Sequence, residues 1–135
     1  MSKYVEKAFE YHDKGYNCAQ AVLCAFADQT GVDAELLYKL SEGMGAGMGN
    51  RKNTCGALSG AIMLCGLMNS SGNVENSTKA STYDTAGIMV NEFEKRCNAL
   101  TCTDIKGLNT GTPTVSCSEC IKYAVEIAEE YLLKK

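Results

Sequence analysis

Apolar residues in this chain recur at intervals of three and four, the period of helices that present one face to a core. Residues 2–13 place Val5, Ala8, Phe9 and His12 on one face, and Gly15-Tyr16 breaks that helix. A second helix is predicted from Cys18 to Asp28, with Ala21, Val22, Ala25 and Phe26 as its apolar face and Gly31 as its end. A third, short helix over 33–42 would turn Leu36, Leu37 and Leu40 inward. After a glycine-dense loop, a fourth helix begins near Cys55 and runs through Leu67. It is apolar on nearly every side, which predicts a central, buried helix. The polar segment 69–77 reads as a surface loop, and a fifth helix over 77–97 holds Tyr83, Ala86, Val90, Phe93 and Cys97 in register. A short helix or turn follows Thr101, and a loop from Gly107 to Ser116 carries Pro113. The last helix runs from Cys117 to Leu133, with Ile121, Ala124, Val125, Ala128, Tyr131 and Leu132 inside. No stretch alternates with period two, so no sheet is predicted. The expected fold is all-α: a single domain over 1–135, with about five to seven helices around one buried central helix.

Charge and composition narrow the function classes. The net charge of −3 leaves no basic footprint for nucleic acid. No apolar run approaches the roughly 20 residues of a membrane helix. The N-terminal segment is charged and amphipathic and lacks the apolar core of a secretory signal, which points to the cytoplasm. There, ordinary thiols stay reduced. Eight cysteines in such a chain point to metal binding, redox chemistry or burial.

Four of these cysteines follow residues that favour helix starts: Asn17-Cys18, Thr54-Cys55, Thr101-Cys102 and Ser116-Cys117. Asn, Ser and Thr cap helices because their side-chain oxygens accept from the first free amides. Asn17-x-x-Gln20 and Ser116-x-x-Glu119 match a capping box, and Thr101-x-x-Asp104 is a weaker version. A cysteine at the first helical position meets the positive end of the helix dipole, which favours its thiolate. The four are 37, 47 and 15 positions apart. Structural zinc sites bring ligands in close pairs, and only Cys117 and Cys120 have that spacing. Iron–sulfur clusters accept four widely separated thiolates, and amides at helix ends donate to cluster sulfurs. Cys117-Ser118-Glu119-Cys120 also suits dithiol–disulfide chemistry, although the βαβ setting of thioredoxins is absent. Cys24, Cys65 and Cys97 sit among apolar neighbours and read as core residues. His12, the one histidine, reads as part of a helix face and not as a ligand.

Glycines add a second signal. Gly43 to Gly49 alternates glycine with other residues. The segment before it is helical, so a dinucleotide loop is excluded. Its amides beside Arg51 and Lys52 could hold an anion. Gly45 and Gly47 could let backbone approach a bulky cofactor. Gly56 and Gly60, with Ala57 and Ala61, make a smooth stripe that costs about 1 kcal/mol of helix propensity per glycine. Either close helix packing or room for a cofactor beside Cys55 would offset that cost.

Taken in order, these elements resemble the redox-active protein family named for the pattern C, GCAxxG, C, C. The matching residues are Gly15-Tyr16-Asn17-Cys18-Ala19-Gln20-Ala21, the Gly43–Gly49 run, Cys55-Gly56-Ala57-Leu58-Ser59-Gly60, Cys102 and Cys117. The family label places a glycine before its central cysteine, where this chain has Thr54. The resemblance implies a redox role and nominates Cys18, Cys55, Cys102 and Cys117. A related domain is also similar to part of the split-Soret cytochromes, which combine haem with an iron–sulfur centre. The chain lacks C-x-x-C-H, so covalent haem attachment is not expected.

The first expectation is therefore an electron-transfer or redox-sensing protein. Its iron–sulfur cluster, of the two-iron type, would be bound by Cys18, Cys55, Cys102 and Cys117, with Cys120 as a further metal candidate. A metal-free thiol–disulfide oxidoreductase or switch using the same cysteines is the first alternative, and a zinc or soft-metal binding protein is the second. Any redox partner protein is unidentified by sequence. A homodimer would shield an exposed cluster, though no residue pattern marks such an interface.

Overall fold

Capping side chains decide where the helices begin. The computed structural model describes residues 2–107 and 115–133. Ser2 caps α1 (Lys3–Asp13) by accepting from the Val5 amide at 3.1 Å. Asn17 and Gln20 form a complete capping box at the start of α2 (Cys18–Ala25). Ser116 and Glu119 do the same for α8 (Cys117–Ala128), and Thr101 caps α7 (Cys102–Ile105) through the Asp104 amide. Between them lie α3 (Ala27–Thr30), α4 (Ala34–Ser41), α5 (Gly56–Asn69) and α6 (Lys79–Cys97). Among the described residues there is no strand, only one isolated bridge between Thr54 and Thr101. The fold is all-α. The expected loop at Gly107–Ser116, with Pro113, lies largely outside the described residues.

The core is built on a pair of helices, not on one. Helix α5 is buried from Gly56 to Ala61 and again at Leu64 and Cys65, as its apolar composition predicts. Helix α2 is its equal, buried at every position after Cys18. Its polar Gln20 is accommodated because its side chain accepts from the Asn17 amide at 2.9 Å and donates to the Tyr38 carbonyl at 3.2 Å. Helices α1 and α4 pack on α2, α6 packs on α5, and α8 contacts α1, α2, α5 and α6.

The two central helices meet where side chains are missing. A Cβ at Gly60 would lie 2.7 Å from the Ala19 carbonyl oxygen. A Cβ at Gly56 would lie 3.0 Å from the Met44 carbonyl oxygen and 3.3 Å from the Ala19 nitrogen. These neighbours are backbone atoms that cannot swing aside. The small-residue stripe therefore sets the distance between α2 and α5 and brings their first turns side by side.

Several expectations need correction. The helix predicted over Cys18–Asp28 ends at Ala25, because Phe26 leaves helical geometry (φ −101°, ψ 17°). Its ring stacks on Tyr4 at 4.4 Å, and the chain restarts as α3. This break brings the described α-helices to eight, and the short helix expected after Thr101 is α7. Of the three leucines of α4 only Leu37 is buried, while Leu36 and Leu40 are each 49% exposed, since so short a helix presents one edge to α2. Tyr83 is 66% exposed, and the buried face of α6 is Met89, Phe93 and Cys97. Helix α8 gives way after Ala128 to a wider turn over Glu129–Leu133.

Gly60→Ala gains about 1 kcal/mol of helix propensity but costs about 1–3 kcal/mol in overpacking. The expected net effect is a loss of stability in urea denaturation. Gly87→Ala, in α6 with nothing within 4 Å of the new methyl group, is expected to stabilise by about 0.5–1 kcal/mol.

Candidate functional site

Four helix starts meet at one cavity. Cys18 opens α2, Cys102 opens α7 and Cys117 opens α8, each behind its side-chain cap. Cys55 departs from the prediction: it is itself the N-cap of α5, which begins at Gly56. Thr54 does not cap this helix, because its backbone is held extended against Thr101. The Cys55 amide then donates to the Leu100 carbonyl at 2.8 Å. All four cysteines, together with Cys120, line a cavity of about 200 Å³. Cys24, Cys65 and Cys97 do not line it and are buried in the core, as the sequence predicts.

The glycine-rich loop forms one wall and is tied down by backbone bonds. Asn53 donates to the Gly47 carbonyl at 3.2 Å and accepts from the Cys102 amide at 2.9 Å. The Thr103 hydroxyl donates to the Arg51 carbonyl. At the other end the Asn17 amide group donates to the Glu42 carbonyl at 3.0 Å, so the residue that caps α2 also anchors the loop. Gly47 is left-handed (φ 58°), and a Cβ there would meet the Cys102 Cβ at 2.6 Å. Gly47 and Gly56 lie on the cavity wall. Gly45 and Gly60 do not line it, and a Cβ on Gly45 would meet the Asn17 side chain within 2.7 Å.

Crowding of thiols controls their charge. The Cys18 thiol donates to the Cys117 sulfur, which is the main reason the Cys117 pKa falls to about 5. Partial burial opposes that fall, and Lys106 and His12 reinforce it. The same bond, with burial, pushes Cys18 well above the ordinary thiol range. Cys55 is also pushed far up, first by donating to the Cys120 sulfur and then by burial, although the Ala57 and Leu58 amides favour its charge. Cys120 gains from Cys55 but donates to Cys97 and is buried, and its pKa rises to about 12. Burial raises Cys102, with Lys106 opposing. Only one of the four thiols is thus held ionised, and the cause is its neighbours Cys18, Lys106 and His12, not its place at a helix start. Like charges in one cavity disfavour each other, and only one sulfur takes the ionised role cheaply.

Among the described residues, no three His, Cys, Asp or Glu side chains converge tightly enough to hold a single metal ion. The thiols instead adjoin in pairs, Cys18 with Cys117 and Cys55 with Cys120. Sequence reasoning missed two ionisable cavity residues, Lys106 and His12. Lys106 lies one helical turn beyond Cys102, a spacing that places both on one face and could have revealed it. His12, expected only on a helix face, lines the cavity and helps to lower the Cys117 pKa.

Because Cys117 is held ionised, its alkylation by iodoacetamide is expected to be fast at neutral pH. The rate should fall only as pH drops through about 5. Cys18, Cys55 and Cys102 should react slowly over the same range. Cys18→Ala should raise the midpoint most and Lys106→Met by less, so both variants slow the reaction at mildly acidic pH. Rates read by peptide mass spectrometry check this ordering.

No curated protein and no solved structure matches this chain. Among the described residues no helix is long and apolar enough to cross a membrane. A family model described as "Putative redox-active protein (C_GCAxxG_C_C)" matches residues 16–131, a span that includes all five cysteines of the cavity. The chain belongs to this redox-active C_GCAxxG_C_C family.

Proposed function

We propose that the redox role of this family is carried here by a two-iron iron–sulfur cluster seated in the cysteine-lined cavity. Cys18, Cys55, Cys102 and Cys117 would be its ligands. The observation that carries the reading is five cysteines around one cavity of about 200 Å³, more than a single dithiol uses. The donor chemistry suits the group, since iron–sulfur clusters take four thiolates. Cys18 and Cys117 already adjoin, as two ligands of one iron must. Cys55 and Cys102, close enough to feel each other's charge, would serve the second iron. A single zinc ion needs four donors about 2.3 Å from one point, a demand that paired thiols meet less well.

The cluster, when bound, supplies one-electron transfer. The chain's own residues set the conditions for it. The starts of α2, α5 and α8 aim their positive ends at the cavity, which offsets the negative charge of bound thiolates. Lys106 adds a full positive charge beside Cys117 and Cys102. Gly47 and Gly56 let the backbone pack closely at the wall, since a Cβ on Gly47 would meet Cys102 and one on Gly56 would meet the Met44 carbonyl. Such a site works in a reducing compartment, and the cytoplasm is the proposed location.

A second reading has its own support. Cys117 as thiolate beside Cys18 as thiol is the arrangement of a dithiol that cycles to a disulfide without metal.

Anaerobic purification or reconstitution, followed by iron and sulfide analysis and a visible spectrum, tests the proposal. The expected result is about two iron and two sulfide per chain, with colour that bleaches on reduction. Serine at Cys18, Cys55 or Cys117 should lower the iron content. A colourless, iron-free protein after anaerobic reconstitution would overturn the cluster and leave the Cys18–Cys117 dithiol as the redox group.

A further inference from the structure

Cys120 is the one cavity cysteine that neither reading uses. It lies one helical turn into α8, three positions after Cys117, and is 2% exposed. It nevertheless lines the cavity together with Cys55. Cys18 and Cys117, at the outer side, are each partly exposed. Cys55 and Cys120 are buried beneath them, and all four thiols are free.

We infer that Cys55 and Cys120 form a second, inner dithiol, and that Cys120 draws oxidising equivalents inward from the Cys18–Cys117 pair. The substrate is a low-molecular-weight disulfide. This inference rests on the redox reading of the cavity thiols and needs no cluster.

The steps balance as thiol–disulfide exchanges. The Cys117 thiolate attacks the external disulfide, forms a mixed disulfide and releases one thiol. Cys18 attacks the Cys117 sulfur, releases the second thiol and closes Cys18–Cys117. Cys120, on the same helix face one turn away, attacks the Cys117 sulfur and displaces the Cys18 thiolate. Cys55 then attacks the Cys120 sulfur and displaces the Cys117 thiolate. The net change is one external disulfide reduced to two thiols and one Cys55–Cys120 disulfide formed. Each attacking thiol gives up its proton, and the protons are taken by the departing thiolates. Cys18 and Cys117 return to their starting state.

The buried position of the inner pair sets the order of events. Reagent reaches Cys117 first, and the inner disulfide forms by exchange within the chain. Cys97 is the competing partner, because Cys120 also adjoins it. Closing Cys55–Cys120 withdraws Cys55 from any metal-ligand set, so the oxidised inner pair and a loaded cluster exclude each other.

The test treats the metal-free, fully reduced full chain with glutathione disulfide. Samples are quenched over time by alkylation, and disulfides are mapped by peptide mass spectrometry. The expected course is Cys18–Cys117 first, followed by its decline as Cys55–Cys120 accumulates. In Cys120→Ala the course should stop at Cys18–Cys117. The wild-type time course decides the matter even where that variant fails to fold. Cys120 remaining a free thiol, or pairing with Cys97, while Cys18–Cys117 forms would overturn the relay. Iron loading of the reduced protein is read separately, so that loss of the relay is distinguishable from loss of the cluster.

Discussion

The close approach of α2 and α5 is the constraint on which the site depends. It exists because Gly56 and Gly60 put no side chain between the helices, and the Ala19 backbone fills the space. The same contact aligns the two first turns, so Cys18 and Cys55 reach one cavity although they are far apart in sequence. Glycine in a helix interior is unfavourable by about 1 kcal/mol relative to alanine. Here that cost is offset by burial of two nearly all-apolar helices against each other. Core packing and site assembly are thus one event, and a change that separates the helices damages both.

Electrostatics then divides the cysteines by role. Convergent helix starts supply a positive potential, and taken alone it would lower every thiol pKa. Proximity works the other way. Thiols that share hydrogen bonds and a buried setting cannot all ionise, so one thiolate, Cys117, is held by a Cys18 donor and a Lys106 cation. The rest remain protonated reserves. A metal or cluster changes this balance, since its positive charge can hold several thiolates at once. The resting site is therefore charged at one sulfur.

The glycine-rich loop completes the cavity under backbone strain. Ala46, Met48 and Arg51 all take left-handed φ, between 53° and 65°. Such a conformation costs a residue with a side chain roughly 1–2 kcal/mol. Three in one short loop persist because both ends are fixed: Asn17 grips Glu42, while Asn53, Arg51 and Thr103 latch the loop to the start of α7. Strain held by surrounding structure is characteristic of functional walls. Here it brings Gly47 against Cys102.

The sequence by itself determined the all-α class, most helix positions and three of the four caps, because these follow from local periodicity and from side chains bonding amides three residues away. It also separated the cavity cysteines Cys18, Cys55, Cys102 and Cys117 from the core ones, since Cys24, Cys65 and Cys97 sit mid-helix or at a helix end among apolar residues. Tertiary structure alone decided the rest. Thr54 was diverted from capping by its pairing with Thr101, a partner 47 positions away. The second central helix, α2, was hidden because small alanines show no amphipathic contrast. Lys106 and His12 joined the cavity through packing between distant segments. The charge of each thiol depends on which sulfur it touches, and those contacts form only when four helix starts meet.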